Sequence, residues 1–471
     1  MKQAPFISVN EDFRNTISTS DKEGNRIWIY PKKPSGKFTN ARELLALVLL
    51  AVFFAGPFLT IGGEPILLLN IAERKFIILG QIFWPQDFYI FLLAMITFIV
   101  FIIVFTLVYG RIFCGWICPQ TIFMEMVFRK IEYWIEGDRS KQKALDKESL
   151  TERKFFKKAI KHGLFLTISV LVSNTFLAYI IGKDKIFEII TDNPVNHITG
   201  LTMMIAFSLA FYFIFSRFRE QVCIAVCPYG RLQGVLMDKN TIVVGYDYLR
   251  GENRGKLRKG EDRKSADKGD CIDCRQCVDV CPTGIDIRNG TQLECINCTA
   301  CIDACNHVME KSGLPLGLIR YDSENGIATG KKFTFGVRRL AYTMVLVALT
   351  GILTFLLVSR SEVETTIVRA SGTTFQKDQN GSIKNLFTYK VINKSAKEIP
   401  LEFRLVSHEG SIQVIGKEIN LPKHQMASGS FFITIEPHHL TGIKTKVKVG
   451  IFDDKGKMIE KVTTNFIGPS N

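Results

Sequence analysis

The sequence predicts a multi-domain membrane protein: an α-helical transmembrane bundle of about five spans, a cysteine-rich α+β domain, and a C-terminal all-β immunoglobulin-like sandwich. Three observations predict this organisation. Long apolar stretches interrupt the chain, all twelve cysteines lie between Cys114 and Cys305, and short β-rich runs begin at about residue 363. The chain has 471 residues, of which 47% are hydrophobic, and is therefore long enough for several domains.

Each apolar stretch is close to the roughly 20 residues that a helix needs to cross the hydrocarbon core of a bilayer. The stretches cover residues 42–62, 88–109, 162–181, 198–215 and 340–358. The alternative, buried helices of a large soluble protein, is disfavoured because basic residues flank the stretches. The first stretch is not a cleavable signal, because some forty mostly polar residues precede it.

The placement of lysine and arginine follows membrane sidedness rather than nucleic-acid binding, although the net charge is +15. The segments after the first and third spans contain few cations: Arg74 and Lys75, then Lys183 and Lys185. The segments after the second and fourth spans are rich in them: Arg129, Lys130, Arg139, Lys141 and Lys143, then Arg254, Lys256, Arg258, Lys259, Arg263 and Lys264. In a bacterial inner membrane, the positive-inside rule places the N-terminus of this multi-pass protein in the cytoplasm and, after an odd number of spans, its C-terminal domain in the periplasm.

The most specific motif is the spacing C-x2-C-x2-C-x3-C, which occurs twice between residues 271 and 305. It is the bacterial two-cluster ferredoxin pattern, in which the fourth cysteine of each run binds the other 4Fe-4S cluster. The pattern assigns Cys271, Cys274, Cys277 and Cys305 to one cluster, and Cys295, Cys298, Cys301 and Cys281 to the second. Structural zinc, the alternative, uses looser spacings. Two adjacent clusters transfer single electrons.

A second motif, C-x3-C-P, contains Cys114 and Cys118 in "RIFCGWICPQ", and Cys223 and Cys227 in "REQVCIAVCPYGR". Each copy follows a pair of spans, so we infer an internal repeat that brings four thiols together at the cytoplasmic membrane surface. Proline suits the first position of a new helix, whose dipole lowers the pKa of a thiol such as Cys118. The resulting thiolates would bind cuprous copper, zinc or a further cluster, or cycle between dithiol and disulfide. The simpler alternative is that these cysteines are small buried hydrophobes.

The C-terminal region contains β-rich runs such as "LFTYKVIN" and "KTKVKVGIFD" every 8 to 12 residues, separated by turns. This spacing predicts an immunoglobulin-like sandwich of about seven strands. The region has no cysteine. Four histidines, His408, His424, His438 and His439, are candidate copper ligands, with scattered surface histidines as the simpler interpretation.

No sequence motif for a c-type haem, a dinucleotide or a phosphate-binding loop occurs. The electron donor is therefore expected to be a soluble reductant or a quinol. His162 and His197 lie near membrane boundaries, where a quinone could bind, although interfacial histidines are common. The basic stretch "RGENRGKLRKGEDRKSADKG" is a solvated loop whose field could guide an acidic electron donor.

These motifs together resemble the CcoG/FixG/RdxA family of cytochrome c oxidase accessory proteins, which are membrane-bound polyferredoxins. "WIYPKKPSGKF", "CGWICPQ", "VCPYGR", the two-cluster run and the β-rich tail carry the resemblance, which covers nearly the whole chain. The resemblance implies reduction of Cu(II) to Cu(I) during assembly of cbb-type cytochrome c oxidase, with oxidase subunits or a copper carrier as partners. It makes the four C-x3-C-P cysteines the copper-proximal, catalytic candidates.

Five regions follow from this interpretation: a cytoplasmic segment (1–41), a four-helix transmembrane region (42–218), a cytoplasmic ferredoxin region (219–337), a fifth transmembrane helix (338–359) and an extracytoplasmic immunoglobulin-like domain (360–471). Two alternatives stay open. One is a quinol-linked conduit similar to NapH-type membrane ferredoxins, which lack the tail. The other is a non-catalytic oxidase assembly scaffold with structural clusters.

Overall fold

The computed structural model describes residues 18–469, with gaps at 22, 72–74, 79, 84–87, 259–260, 264, 331–336, 360–362, 379–380, 395–397, 417–418, 424, 441 and 454–455. Arg74, Lys259, Lys264 and His424 lie outside the described residues. The chain forms two compact units. The first comprises Met1–Gly56, Leu92–Ala178 and Gly182–Ile352, and the second comprises Pro57–Phe91, Tyr179–Ile181 and Leu353–Asn471.

Fifteen α-helices occur among the described residues. In chain order they are α1 (Lys37–Ala55), α2 (Phe88–Tyr109), α3 (Ile112–Trp116), α4 (Pro119–Thr121), α5 (Arg129–Ile135), α6 (Arg139–Lys147), α7 (Glu152–Ile181), α8 (Lys183–Thr191), α9 (Ile198–Phe213), α10 (Pro228–Leu236), α11 (Tyr248–Gly251), α12 (Gln276–Asp279), α13 (Ala300–Lys311), α14 (Glu324–Thr329) and α15 (Val337–Val358). Three π-helical segments adjoin them, Ile122–Phe128, Ile214–Phe218 and Val222–Val226.

Five helical segments in the described part of the chain are long and apolar enough to cross a membrane, which confirms the predicted number of spans. They are Lys37–Phe58, Tyr89–Tyr109, Glu152–Ile181, Ile198–Phe218 and Leu340–Val358. Several boundaries differ from those predicted: the first segment begins at Lys37 rather than at residue 42, and the fourth ends at Phe218 rather than at residue 215. The first helix stops before residue 59, where the chain enters a short hairpin. The third begins ten residues early, because Thr151 caps it by accepting a hydrogen bond from the Lys154 amide.

The segment between the first two spans forms short strands that the sequence did not predict: β1 (Thr60–Ile61), β2 (Glu64–Pro65), β3 (Leu67–Asn70), β4 (Lys75–Ile78) and β5 (Gln81–Phe83). β1 pairs with β2, and β3, β4 and β5 form an antiparallel sheet. Leu68, Ile77 and Ile82 form its small core. Strands of two to four residues are too short for an alternating pattern to be read reliably in the sequence.

The C-terminal region is a two-sheet sandwich, as predicted, with nine described strands rather than about seven. They are β8 (Val363–Arg369), β9 (Gln376–Lys377), β10 (Ile383–Asn393), β11 (Ile399–Leu405), β12 (Gly410–Ile415), β13 (Ile419–Leu421), β14 (Met426–Ile435), β15 (Lys444–Phe452) and β16 (Met458–Ile467). One sheet has the order β12-β14-β10-β8, with β9 beside β10, and the other has the order β13-β11-β15-β16. The two extra strands, β9 and β13, have two and three residues. Inward-facing aromatic residues of both sheets, including Phe387, Phe431 and Phe466, are fully buried.

The cysteine-rich domain is built around α12, α13 and a two-stranded ribbon of β6 (Val243–Tyr246) and β7 (Ile319–Asp322). Its core combines Val244, Ile287, Met309 and Leu318 with several of the cysteines. The N-terminal segment crosses this domain before α1 begins. The Lys32 amide donates to the Asp279 carbonyl oxygen at 2.7 Å, and the Thr39 amide of α1 donates to the Asp303 carboxylate at 2.7 Å. The first membrane helix is therefore anchored directly to the cysteine-rich domain.

Candidate iron-sulfur and thiol site

Eight cysteines surround two separate cavities in the cysteine-rich domain. We call the cysteines around one cavity the first set: Cys271, Cys274, Cys277 and Cys305. We call those around the other cavity the second set: Cys281, Cys295, Cys298 and Cys301. Each set combines three cysteines of one run with the fourth cysteine of the other run, which is the grouping expected from a two-cluster ferredoxin.

The two cavities arise from equivalent loops. In the first run Cys274 lies between Asp273 and Arg275, whose φ angles are 54° and 57°. In the second run Cys298 lies between Asn297 and Thr299, with φ angles of 54° and 65°. Left-handed residues on both sides of the middle cysteine make a tight loop that turns three thiols toward one point. The helices α12 and α13 then follow and carry the third cysteine of each run, Cys277 and Cys301. The fourth cysteine of the first run, Cys281, lies just after α12, whereas that of the second run, Cys305, lies within α13.

The cavities fit a 4Fe-4S cluster rather than a single ion. No group of three His, Cys, Asp or Glu side chains in the described ranges is close enough to hold one metal ion. A cubane holds its four thiolates farther apart, because each thiolate binds a different iron. The wall around the second set is mostly apolar and includes Val244, Ile285 and Ile287. Arg275 and Arg288 also line the cavity of the first set.

Burial raises the pKa of most of these thiols, to about 12 for Cys277, Cys295 and Cys305 and to about 11 for Cys298. Such thiols stay protonated at neutral pH unless a metal binds. A coordinating thiol loses its proton outright, because the bound iron compensates the charge of the thiolate.

The two C-x3-C-P motifs adopt the same local structure. Cys118 and Cys227 are both extended residues immediately before a helix whose first residue is proline. The Cys118 amide donates to the Phe113 carbonyl oxygen at 2.9 Å, and the Cys227 amide donates to the Val222 carbonyl oxygen at 2.7 Å. Both hydrogen bonds reach back five residues, which agrees with the internal repeat inferred from the sequence.

The four C-x3-C-P thiols lie within electrostatic range of one another. Burial, and after it negative charge on Cys118, Cys114 and Cys227, raises the pKa of Cys223 to about 12. Burial likewise raises the pKa of Cys114 to about 12, with Cys118 adding to the effect. The expected thiolates are therefore wrong for Cys114 and Cys223, because desolvation dominates there. These two thiols ionise only when a cation replaces their protons.

The first C-x3-C-P motif packs directly against the second cysteine set. Cys114 contacts the hydrophobic cluster that contains Ile296 and Cys298. Arg42, near the start of α1, is buried and joins the two segments. Its Nε donates to the Gly115 carbonyl oxygen at 2.8 Å, and its Nη1 donates to the Cys298 carbonyl oxygen at 3.2 Å.

Two further residues strengthen this contact. Arg111 donates to the carbonyl oxygens of Leu293 and Gly230, and so joins the second run to the second C-x3-C-P motif. Trp116 Nε1 donates to the Tyr321 hydroxyl at 3.1 Å, and that hydroxyl donates to the Asn297 carbonyl oxygen at 3.1 Å. None of these contacts was predicted from the sequence. The available signal was an arginine at the start of one apolar span and another just after the next.

A buried ion-pair network surrounds the C-x3-C-P motifs. Arg219 donates to both carboxylate oxygens of Glu132, at 2.6 and 2.8 Å, and Arg129 pairs with Glu220 at 3.4 Å. All four side chains are almost completely buried. Burial by itself would raise the pKa of Glu132, but Arg219 and further cations hold it below its usual value. The carboxylate therefore stays charged, and the network fixes the helices on which the thiols lie.

The described candidate histidines make local contacts within their own regions of the chain. His162 Nδ1 lies 2.9 Å from the Tyr212 hydroxyl, and His197 Nε2 lies 3.0 Å from Asp192. In the sandwich, the rings of His438 and His439 are 4.0 Å apart. His408 Nδ1 contacts the Ser407 hydroxyl at 2.8 Å.

Three segments of the chain match known families. Residues 218–324 match a 4Fe-4S dicluster domain, and residues 91–142 match a 4Fe-4S binding domain. Residues 353–469 match the IG-like fold at the C-terminus of FixG. The first two segments each include one C-x3-C-P motif. The matches support an iron-sulfur protein with an immunoglobulin-like C-terminal domain.

Curated relatives match most of the chain. Protein RdxB from Cereibacter sphaeroides is 35% identical over 397 residues, which cover 80% of this chain and 82% of RdxB. Protein RdxA from the same organism is 33% identical and covers 79% of this chain and 80% of RdxA. Nitrogen fixation protein FixG from Rhizobium meliloti is 28% identical and covers 92% of this chain and 87% of FixG.

Among solved structures, the crystal structure of a FixG-related protein from Vibrio parahaemolyticus aligns with 23% of this chain and 97% of its own chain, at 19% identity and a TM-score of 0.19. The family follows from the curated relatives, because RdxB and RdxA are 35% and 33% identical and match 82% and 80% of their own length. Two cysteine-lined cavities and five helices long enough to cross a membrane agree with it. The chain belongs to the family of membrane iron-sulfur electron-transfer proteins that includes RdxB, RdxA and FixG.

Proposed function

We propose that this protein reduces cupric to cuprous copper at its C-x3-C-P thiols during assembly of a cbb-type cytochrome c oxidase. One observation carries the proposal: four thiols share one electrostatic neighbourhood, and the first of them, Cys114, packs against the second cysteine set. Soft thiolates are good ligands for cuprous copper.

In this proposal the eight cysteines of the two sets bind two 4Fe-4S clusters, each of which accepts and donates single electrons when bound. The surrounding residues set the geometry. Arg42 keeps the Gly115 turn against the Cys298 loop, and the Trp116–Tyr321 pair holds the same turn from its other side. These contacts keep the C-x3-C-P thiols beside the second set.

Copper binding changes the charge state of the thiols. Cys114 and Cys223 are protonated without a metal, so an incoming cupric ion displaces their protons. The ion then gains one electron and leaves as cuprous copper, while the protein loses one electron. Gln233, whose side-chain oxygen lies 3.3 Å from Cys114 Sγ, accepts the thiol hydrogen bond until the proton leaves.

We further propose that the cysteine-rich domain is cytoplasmic and that the immunoglobulin-like domain is periplasmic and docks an oxidase subunit or a copper carrier. The distribution of lysine and arginine between alternate loops supports this orientation. A periplasm-only reporter fused to the C-terminus should be active. An inactive fusion that is present in the membrane at normal levels would contradict the orientation.

The test of copper reduction is anaerobic. The purified full-length protein is reduced with dithionite, freed of excess reductant, and mixed with cupric ion and a cuprous-specific chelator. We expect reoxidation of the protein to match the cuprous ion formed. A Cys114→Ser, Cys227→Ser double variant should lose this reaction, whereas a His438→Ala, His439→Ala control should keep it.

Wild-type protein that stays reduced after copper addition would overturn the proposal. An equal reaction in the double serine variant would show that copper is not reduced at these thiols.

The hydrogen-bonded pair of His162 and Tyr212 on two membrane helices offers a second candidate function, a quinol-linked conduit. Reduction by a quinol analogue without any response to copper would favour that conduit. Clusters that respond to neither quinol nor copper would favour an assembly scaffold.

A further inference from the structure

Two buried arginines lie at the contact between the second cysteine set and the C-x3-C-P motifs. Arg42 is 4% exposed and Arg111 is 5% exposed. Each side chain donates to two backbone carbonyl oxygens. Arg42 bridges Gly115 and Cys298, whereas Arg111 bridges the second cysteine run and the second C-x3-C-P motif.

Neither arginine forms an ion pair with a carboxylate in the part of the chain that the structure describes. Arg42 Nη2 and Arg111 Nε are also buried without a hydrogen-bond partner. By contrast, the buried Arg219 pairs with Glu132 at 2.6 Å. An unpaired charge in a protein interior is costly, and buried charges are normally paired. Arg42 and Arg111 therefore need a negative charge that the described carboxylates do not supply.

The second cysteine set is a source of that charge. Arg42 acts electrostatically on Cys298, and Arg111 acts on Cys295. Glu125 also acts on Cys298, but an arginine one helical turn away already pairs with it at 3.1 Å. Four thiolates outweigh the positive charge of a 4Fe-4S core, so the bound group is negative and becomes more negative when it gains an electron.

We propose that Arg42 and Arg111 are the counter-ions of the 4Fe-4S cluster in the second set and raise its reduction potential. Their charge stabilises the reduced form more than the oxidised form, because reduction adds one negative charge nearby. The inference rests on the cluster binding of the proposed function. It identifies the residues that favour arrival of an electron at the set beside the C-x3-C-P motifs.

The surroundings of the second set make this effect strong. Cys298 is buried, whereas Cys274, at the equivalent position of the first set, is exposed. Water screens charges near an exposed site, whereas a buried charge acts through a medium of lower dielectric constant. At the first set, the buried Arg288 pairs with Asp286 at 2.7 Å, so its charge is already compensated. The second set should therefore respond strongly when either unpaired arginine loses its charge.

The test is a redox titration of the full-length, cluster-loaded protein in detergent, followed by visible absorbance and EPR. Redox mediators exchange one electron with each cluster, and no copper is added. We expect Arg42→Gln and Arg111→Gln each to lower one midpoint potential. At the wild-type midpoint, the ratio of reduced to oxidised cluster should fall about tenfold, which corresponds to about 59 mV for one electron. The double variant should lower the same midpoint further and leave the other midpoint unchanged.

Arg42→Lys separates the charge of the side chain from its structural role. Lysine keeps the positive charge but loses the planar guanidinium that bridges Gly115 and Cys298. Its midpoints should stay close to those of wild type, whereas a structural role predicts that lysine and glutamine act alike.

The matched control is Arg320→Gln, which removes a partly exposed arginine of the same domain. Arg320 pairs with Asp247 at 2.7 Å and with Asp322 at 3.0 Å. Because its charge is compensated and partly screened, the variant should change the ratio of reduced to oxidised cluster by less than about twofold.

Unchanged midpoints in both Arg42→Gln and Arg111→Gln would overturn the proposal. An equal shift in Arg42→Lys and Arg42→Gln would overturn it as well, since charge would not explain the shift. Midpoints are read from the loaded protein, so a partial loss of iron in one variant does not affect them. Copper is absent from the titration, so a failure of copper reduction would leave this result intact.

Discussion

Replacing Gly115 by alanine tests the contact that joins the first C-x3-C-P motif to the second cysteine set. A Cβ at position 115 would overlap the Ile296 carbonyl oxygen and lie 3.0 Å from the carbonyl carbon and oxygen of Asn297. All of these are backbone atoms and cannot rotate away. Because carbon atoms prefer a separation of about 3.5–4.0 Å, the two segments must separate by roughly 0.5–1 Å.

Overpacking of this kind costs about 1–3 kcal/mol. If the whole cost weakens the contact, the fraction of protein in which the first C-x3-C-P motif contacts the second cysteine set falls about 5- to 150-fold. A free energy of 1.4 kcal/mol corresponds to a factor of ten. Two changes should follow. The midpoint of thermal unfolding, measured by loss of cluster absorbance, should fall. Copper-driven reoxidation of the reduced protein should slow at least about fivefold, because Cys114 moves with the turn.

Gly163→Ala is the matched control, since a Cβ at position 163 in α7 has no neighbour within 4 Å. It should keep the unfolding midpoint or raise it, because alanine favours a helix over glycine by about 1 kcal/mol. If Gly115→Ala and Gly163→Ala show the same midpoint and the same reoxidation rate, the contact does not hold the thiols in place. Electron transfer to copper would then not depend on this contact.

Three further changes have defined outcomes. Arg219→Ala should destabilise the protein by about 3–5 kcal/mol, visible as a lower unfolding midpoint, because it leaves the buried Glu132 carboxylate without its main partner. Glu460→Gln should stabilise the protein at neutral pH but not below about pH 4.5, the usual pKa of a glutamate carboxyl, because burial raises the pKa of Glu460 above that value. Folding therefore favours the protonated carboxyl, and the penalty for ionisation grows as pH rises through the folded pKa. Cys281→Ala and Cys295→Ala should each remove the iron of one cluster by anaerobic iron and sulfide analysis, and their double variant should lose no more than either single variant.

Each of these predictions has a control that can contradict it. Arg404→Ala breaks an exposed ion pair and should leave the unfolding midpoint unchanged. If Arg219→Ala and Arg404→Ala lower the midpoint equally, burial does not explain the effect of Arg219→Ala. Calorimetry that shows the same gain for Glu460→Gln at pH 4 and pH 7 would refute the pKa argument. Cys277→Ala combined with Cys281→Ala should remove both clusters, although the two residues are close in sequence. Loss of only one cluster would refute the proposed grouping.

The membrane helices, the iron-sulfur domain and the β-sandwich could be predicted because each depends on local pattern. An apolar run of about 20 residues has few alternatives to a membrane helix. The run from Cys271 to Cys305 has a spacing that only a few metal sites use. The hairpins between residues 60 and 83 could not be predicted in this way, because strands of two to four residues carry little periodicity.

The ionisation of the C-x3-C-P thiols required the structure. The position of Cys118 before a helix suggested a thiolate, and that position is observed. The pKa of Cys114 and Cys223, however, depends on how much surrounding structure excludes water, and burial raises both to about 12. Desolvation depends on the residues packed around the thiol and therefore cannot be predicted from the local sequence.

Cysteine spacing, apolar length and charge distribution were sufficient to predict what kind of protein this is, because iron ligation and membrane insertion act on short segments of chain. The tertiary structure alone decided which cysteine set contacts the C-x3-C-P motifs and which remains open. That choice rests on Arg42, Gly115 and Arg111, which join segments far apart in the sequence. Contacts of this kind depend on the relative position of whole helices, so no local pattern of residues specifies them.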